Sequence, residues 1–398
     1  MYYIIRTNRY IGAFYHKKQQ GVVRRIYMDE RWQAEETIAE NCGENFTMHY
    51  ENDMIYMFCQ DLNGDIIALT IKDSDRAVNR RVILKNQAGQ VTQTLLHPII
   101  ISGKSLMIIF NTVGADDKSH YLMTQRLNEN GQWTPETRID KYWSDSFDVQ
   151  RVESDHLLLF YQTRGADTRL GYREITPEQQ GAYNAFYATR SIIHDTSFLT
   201  TGDGVHTLFI VRNMLSNQLV YRRNLTGTFD RPVVLYESQR LENCLLFIVK
   251  DKLYVTFMSS GSLYICVSED NGESFSRPAR YRDKLCQDPR KAYFISQSAQ
   301  SDSGVFLRQV YVDPSSPWDI QIIPELFEGF YPAPAEQYAK DSRFSNAVNP
   351  GCADEIRLLR DQIEQLRRRM FENDARIAGL SRQMAEYAVG RAEAHIDQ

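Results

Sequence analysis

The chain has six cysteines among 398 residues, and Cys42, Cys59, Cys244, Cys266, Cys286 and Cys352 include no C-x-x-C pair. None stands at metal-ligand spacing from a histidine, so no metal and no cofactor is expected. They read as reduced thiols, five of them small core residues. Long apolar runs are also missing: Leu106–Phe110 and Leu245–Val249 stop far short of the roughly 20 residues a membrane span needs. Neither sign of charge dominates, with 46 basic and 51 acidic residues and a formal net charge of −5, so neither a nucleic acid nor an acidic solvating tail is indicated. Residues 1–18 lack the basic region, apolar run and small-residue cleavage site of a signal peptide, which predicts a soluble, cytoplasmic protein. No G-x-S-x-G and no G-x-x-x-x-G-K occurs, so neither a nucleophile elbow nor a phosphate loop is read.

What is present is a repeat. Phe14, Phe58, Phe110, Phe160, Phe209, Phe257 and Phe306 each sit in a similar apolar segment, at separations of 44, 52, 50, 49, 48 and 49 residues. Around each one the same order recurs: an apolar run, a polar turn, the Phe run, a polar hairpin, an alternating run, and a turn that often leads to Trp or Phe. These segments are short, rich in β-branched and aromatic residues, and bounded by Gly, Asn and Asp, which is a strand signature. Four strands per unit and seven units over residues 1–326 predict an all-β chain: a seven-bladed β-propeller of four-stranded antiparallel blades. The seventh unit is irregular between Ala292 and Leu326, and a strand at Tyr2–Arg6 is expected to complete it and close the ring.

Residues 327–353 hold Pro332, Pro334, Pro350 and Gly351 among aromatics, and read as a linker or as a strap lying on the propeller. Beyond them the period changes. Ile356, Ile363, Met370, Ile377 and Met384 fall at heptad positions a, and Leu359, Leu366, Asn373, Leu380 and Tyr387 at positions d, which predicts an α-helical coiled coil over 354–388 and a flexible tail over 389–398. Ile at a with Leu at d favours a parallel dimer, with a trimer as second choice; the alternative is a helix folded back onto its own propeller. At about 1.5 Å per residue the helix would be a stalk on the order of 50 Å long.

The stretch Ser268-Glu-Asp270-Asn-Gly272-Glu-Ser-Phe275 matches the Asp-box of bacterial neuraminidase repeats, so the propeller resembles the sialidase-like superfamily. In that family the box occupies the turn between the third and fourth strands of a blade, where it also falls here. Its chemistry is structural: Asp270 can accept N–H bonds within its own turn, Gly272 supplies a left-handed conformation, and Phe275 packs beneath. Turns before Trp133, Phe229 and Trp318 look like degenerate copies. The family's catalysis uses three arginines, a Tyr nucleophile paired with Glu, and an Asp acid/base. Its N-terminal Arg-Ile-Pro finds only Tyr3-Ile-Ile-Arg6-Thr-Asn8 in this chain.

Ligand candidates lie at the opposite end of the strands. Loops leading into the first strands carry His97, Asp145, Asp148, His194, Asp195, Glu242, Asn243, Asp288 and Arg290. These could form a polar pocket able to bind a ligand or to do acid/base work, for example with Asp145 and Glu242 as a carboxylate pair. The competing account is that Asp, Asn and His build turns and cap buried backbone there. The expected function is therefore a non-catalytic binding or scaffolding protein for a protein or glycan ligand, paired through its coiled coil; the alternative is a sialidase-like glycoside hydrolase.

Overall fold

The structure, a computed structural model, describes residues 1–320 except 8, 29–30, 52, 73–76, 86–95, 102–104, 114–119, 128–131, 144–146, 154–155, 177–178, 226, 282–285, 287 and 297–304, and it omits the side chains of 84, 96–101, 105–106, 113, 153 and 319. The expected linker, coiled-coil helix and tail, with Ile356 through Tyr387, lie outside the described residues. Within them every regular element is a β-strand.

The first repeat gives β1 (Tyr2–Arg6), β2 (Ile11–Lys17), β3 (Gly21–Met28), the two-residue β4 (Arg31–Trp32) and β5 (Glu36–Ala39). Five antiparallel sheets follow in chain order. They are β6 (Cys42–Glu51), β7 (Met54–Asp61), β8 (Ile66–Lys72), β9 (Val78–Leu84); β10 (Leu96–Ile101), β11 (Ser105–Val113), β12 (His120–Leu127), β13 (Thr137–Tyr142); and β14 (Asp148–Glu153), β15 (His156–Arg164), β16 (Thr168–Ile175), β17 (Gln180–Thr189). Then come β18 (Ile192–Thr201), β19 (Gly204–Arg212), β20 (Asn217–Asn224), β21 (Val233–Ser238), and β22 (Leu241–Val249), β23 (Lys252–Ser259), β24 (Ser262–Ser268), β25 (Ala279–Arg280). The seventh repeat supplies β26 (Arg290–Ser296), β27 (Val305–Leu307), β28 (Gln309–Asp313) and β29 (Ser316–Ile320). Small antiparallel sheets of sequential strands are the construction of a propeller.

Burial along each sheet explains the sequence pattern. Second strands such as β15 are buried almost throughout, whereas fourth strands such as β21 are largely exposed. An apolar run suits a strand covered on both faces, and alternation suits one with a wet face. Phe14, Phe58, Phe110, Phe160, Phe209 and Phe257 are all buried in second strands. Each buried Phe contributes about 1.5–3 kcal/mol relative to exposure in water. The core lies between sheets: one cluster joins Phe14 with Phe46 and Ile55, another Phe160 with Phe198 and Phe209.

The seventh repeat departs from the expectation. Phe306 is not in a second strand; β27 pairs antiparallel with β22 of the sixth repeat, placing Phe306 opposite Ile248. β28 takes its place beside β26, leaving three strands in that repeat. β1 does connect the last repeat to the first, but through the inner edge: it runs parallel to β26, with Tyr3 opposite Tyr293, and antiparallel to β2. The first and seventh repeats therefore share one eight-stranded sheet, and the described residues form six sheets. The physical reason is edge satisfaction. Inner strands expose unpaired backbone on one side, and β1 and β27 cover two such edges.

Candidate functional site

The first strands β14, β18 and β22 do not pair with one another, so inner-edge N–H and C=O groups need other partners. Side chains provide them at about one-repeat intervals. Gln150 donates to the Phe198 carbonyl at 2.8 Å and accepts the Thr200 N–H at 2.8 Å. Asp195 accepts the Cys244 N–H at 2.8 Å, Ser197 accepts the Leu246 N–H at 3.0 Å, and Asn243 donates to the Pro289 carbonyl at 2.9 Å. Asp195 and Asn243 stand at bulges with left-handed φ of 56° and 55°. Asp and Asn tolerate that region, so residue type, bulge and staple are one feature.

Two of the expected residues, Asp148 and Asp195, line a common cavity of about 180 Å³. The first strands β14, β18 and β26 form its walls, with Phe147, Phe198 and Tyr293 as rings. Its charges come in pairs. Arg308 reaches Asp148 at 3.4 Å and the Val149 carbonyl at 3.1 Å, while Gln150 donates to the other Asp148 oxygen at 2.6 Å. The Lys291 ammonium contacts the Asp195 carboxylate and lies 3.4 Å from the Thr196 carbonyl. Burial works to lower the Lys291 pKa, but the groups beside it, Asp195 first, together hold the ammonium above its ordinary value. Burial, then the Asp148 charge, pushes the Tyr293 phenol up against the opposing pull of Arg308. Lys291 and Tyr293 therefore both keep their protons at neutral pH. The cavity offers donors, acceptors and an apolar wall.

The other expected residues are placed elsewhere. His194 and Glu242 line a separate cleft of about 340 Å³ between the fifth and sixth repeats. Asn243 is consumed as a staple, and Asp288 with Arg290 forms an exposed ion pair of 2.8 Å. The His97 side chain and Asp145 lie outside what the structure describes. A single converging rim is thus corrected to two sites, because the bulges turn Asp195 and Asn243 toward the next repeat while His194 and Glu242 face the hairpin of the fifth. Lys291 and Tyr293 were legible only as alternate positions of one strand. Arg308 falls in the irregular seventh repeat and had no signal.

The Ser268–Phe275 turn sits between β24 and β25, at the strand ends opposite the second-to-third hairpins. Asp270 accepts the Ser274 N–H at 2.9 Å and the Ser274 and Ser268 hydroxyls at 2.5 and 2.7 Å. Ser268 Oγ accepts the Gly272 N–H at 2.7 Å. The Ser274 bonds, then Ser268, hold the Asp270 carboxyl well below the ordinary range. Phe275 packs edge-on against Tyr221 of the fifth repeat, with centroids 4.8 Å apart. The same frame recurs without the Asp: the residue after Trp32, Trp133, Phe229 and Phe275 donates its N–H to the third-strand carbonyl of Ile26, Arg126, Arg223 and Val267, at 2.7 to 2.9 Å. Trp318 differs, since it lies within β29 under the Arg25 guanidinium at 4.1 Å.

Among the described residues, no group of three His, Cys, Asp or Glu side chains is placed to hold a metal, and no helix is long and apolar enough to cross a membrane. No protein-family model and no curated protein matches the chain. Solved structures do. A puromycin-hydrolyzing peptidase of Mycobacterium tuberculosis is similar with a TM-score of 0.51 and 8% identity, covering 79% of this chain and 52% of its own. A polysaccharide lyase is similar with a TM-score of 0.50 and 9% identity, covering 78% and 88%. A lectin of Burkholderia pseudomallei gives 0.49 and 12% identity, covering 69% and 81%. At such identities the likeness is one of fold, a propeller-like one.

Proposed function

We propose that this is a non-catalytic binding protein, whose cavity at β14, β18 and β26 takes a neutral, hydroxyl-rich ligand of the carbohydrate class. One fold serves unrelated chemistries, so the ligand class rests on the cavity and not on the neighbours. The observation that carries it is the pairing of charges. Asp148 with Arg308 and Asp195 with Lys291 present acceptors and donors side by side without net charge, and each sugar hydroxyl needs both. Phe147, Phe198 and Tyr293 give the cavity an apolar wall for the C–H side of a sugar ring. The second reading is a glycoside hydrolase of the sialidase-like kind; what favours it is two carboxylates and a tyrosine on one cavity, and what opposes it is a phenol held protonated. The Ser268–Phe275 box adds to the sialidase-like resemblance as a blade-building turn. We further propose that the 354–388 heptads pair the heads, since pairing raises avidity without new contacts.

The test is a panel of neutral saccharides and fluorogenic glycosides with the full chain, read by thermal shift, calorimetry and turnover. Binding is expected to raise Tm and to weaken at least tenfold in Arg308→Ala without turnover. Hydrolysis abolished by Asp148→Asn or Asp195→Asn would install the enzyme reading. Binding indifferent to Arg308→Ala, or no saccharide bound at all, would overturn the cavity assignment.

A further inference from the structure

Two successive repeats build the same corner from different residues. In the fourth repeat, Arg164 ends the second strand and its guanidinium lies 4.4 Å over the Trp143 ring. Arg190, in the loop leading to the fifth repeat, faces the Asp167 carboxylate of that hairpin at 3.8 Å. Both cations have partners. In the fifth repeat, Arg212 ends the second strand and Arg240 stands in the loop leading to the sixth. The hairpin between Arg212 and Asn217 carries Met214 and Leu215 in place of a carboxylate, and these are 102% and 88% exposed.

The corner of the fifth repeat is therefore open. Among the described residues Arg240 pairs only with Glu242 at the start of β22, at 3.4 Å. Among the described residues Arg212 faces neither a ring nor a carboxylate, and with Arg240 and Glu242 it leaves the cleft one positive charge in excess. On its inner wall His194 Nε2 is buried without a hydrogen-bond partner. Burial, then the Arg212 charge, lowers the His194 pKa against the opposing pull of Asp195, so the ring is neutral at pH 7. Among the described residues the cleft thus joins an unpaired cation, an unpartnered imidazole nitrogen and an exposed apolar shelf, in about 340 Å³.

We propose that this cleft is a second binding site, and that it takes a sugar acid, a saccharide bearing a carboxylate. Arg212 meets the carboxylate through its planar fork. His194 Nε2 shares a hydrogen bond with a ring hydroxyl, and Met214 with Leu215 covers the C–H face of the ring. A bare carboxylate would leave His194 and the shelf unused, and a neutral sugar would leave Arg212 unpaired. No residue is shared with the cavity at Asp148 and Asp195, so the two assignments stand or fall separately.

Calorimetric titration of the full chain with sodium glucuronate tests it, beside glucose and sodium acetate. Glucuronate is expected to bind at millimolar concentrations and more tightly than acetate, and any binding of glucose is expected to be unaffected by Arg212→Ala. Arg212→Ala should weaken glucuronate binding at least tenfold, as loss of a charged hydrogen-bonded partner does. Leu215→Asp, which restores the carboxylate that the fourth repeat has at Asp167, should also weaken it. Arg212 and Leu215 are surface positions, and unaltered Tm values check that both variants fold. Equal binding of acetate, unaltered binding of glucuronate in Arg212→Ala, or no binding of glucuronate would each overturn the proposal.

Discussion

The Tyr221 hydroxyl and Nδ1 of His206 share a hydrogen bond 2.7 Å long, and Gly272 of the next repeat is packed directly against that hydroxyl. Gly272 has φ of +85°, and a Cβ added there would overlap the Tyr221 oxygen. The turn of one blade is thus seated on the core of its neighbour. Gly272→Ala should cost about 1–2 kcal/mol from the left-handed backbone and about 1–3 kcal/mol from overpacking. A urea unfolding series checks this; a loss below 1 kcal/mol would mean that Tyr221 moves aside freely.

Asp270 closes the same turn from the solvent side. Asp270→Ala should lower Tm, because Ser268, Ser274 and the Ser274 N–H lose their acceptor together. Saccharide binding should be unaltered, since the turn lies at the strand ends away from both the cavity and the cleft. Lost binding at unchanged Tm would give Asp270 a ligand role.

His206 makes stability depend on pH. It is fully buried; burial, then the Arg223 charge, pushes its pKa down to about 4. The unfolded chain takes up the proton nearer the ordinary value of about 6.5. Stability from this group is therefore complete above pH 6.5 and is lost as pH falls toward 4, by on the order of 3 kcal/mol. Urea midpoints at pH 7.5 and 4.5 should fall further apart in the native protein than in His206→Gln. Equal slopes in the two proteins would remove His206 as the cause.

The Lys291–Asp195 pair joins β26 to β18, and both side chains are largely buried. Lys291→Met leaves the Asp195 carboxylate without its cation and should destabilise by about 3–5 kcal/mol. Lys291→Met with Asp195→Asn should recover much of that loss, because no buried charge is then unpaired. A double-mutant cycle gives the coupling directly, and additive losses would show that the two residues act apart.

Truncation after residue 353 should convert the native oligomer to a monomer in light scattering while leaving the Tm of the propeller unchanged. A full-length chain that is already monomeric would remove the paired-head proposal.

The sequence by itself determined the repeat, the strand class and the turn chemistry, because these depend on neighbours within a few residues. A buried Phe every 44 to 52 residues marks a strand covered on both faces, and Ser268-x-Asp270-x-Gly272 closes its own turn. Only the tertiary structure decided what the polar residues before the first strands do. Asp195, Asn243, His194 and Glu242 look alike in sequence, yet a left-handed bulge turns the first two toward the next repeat, where they satisfy backbone or a buried cation. The same holds for Phe306 and Tyr2–Arg6, whose partners were chosen by the open edges of β22 and β26. Those edges come from strands distant in the chain, and no local pattern records which edge a ring leaves unpaired.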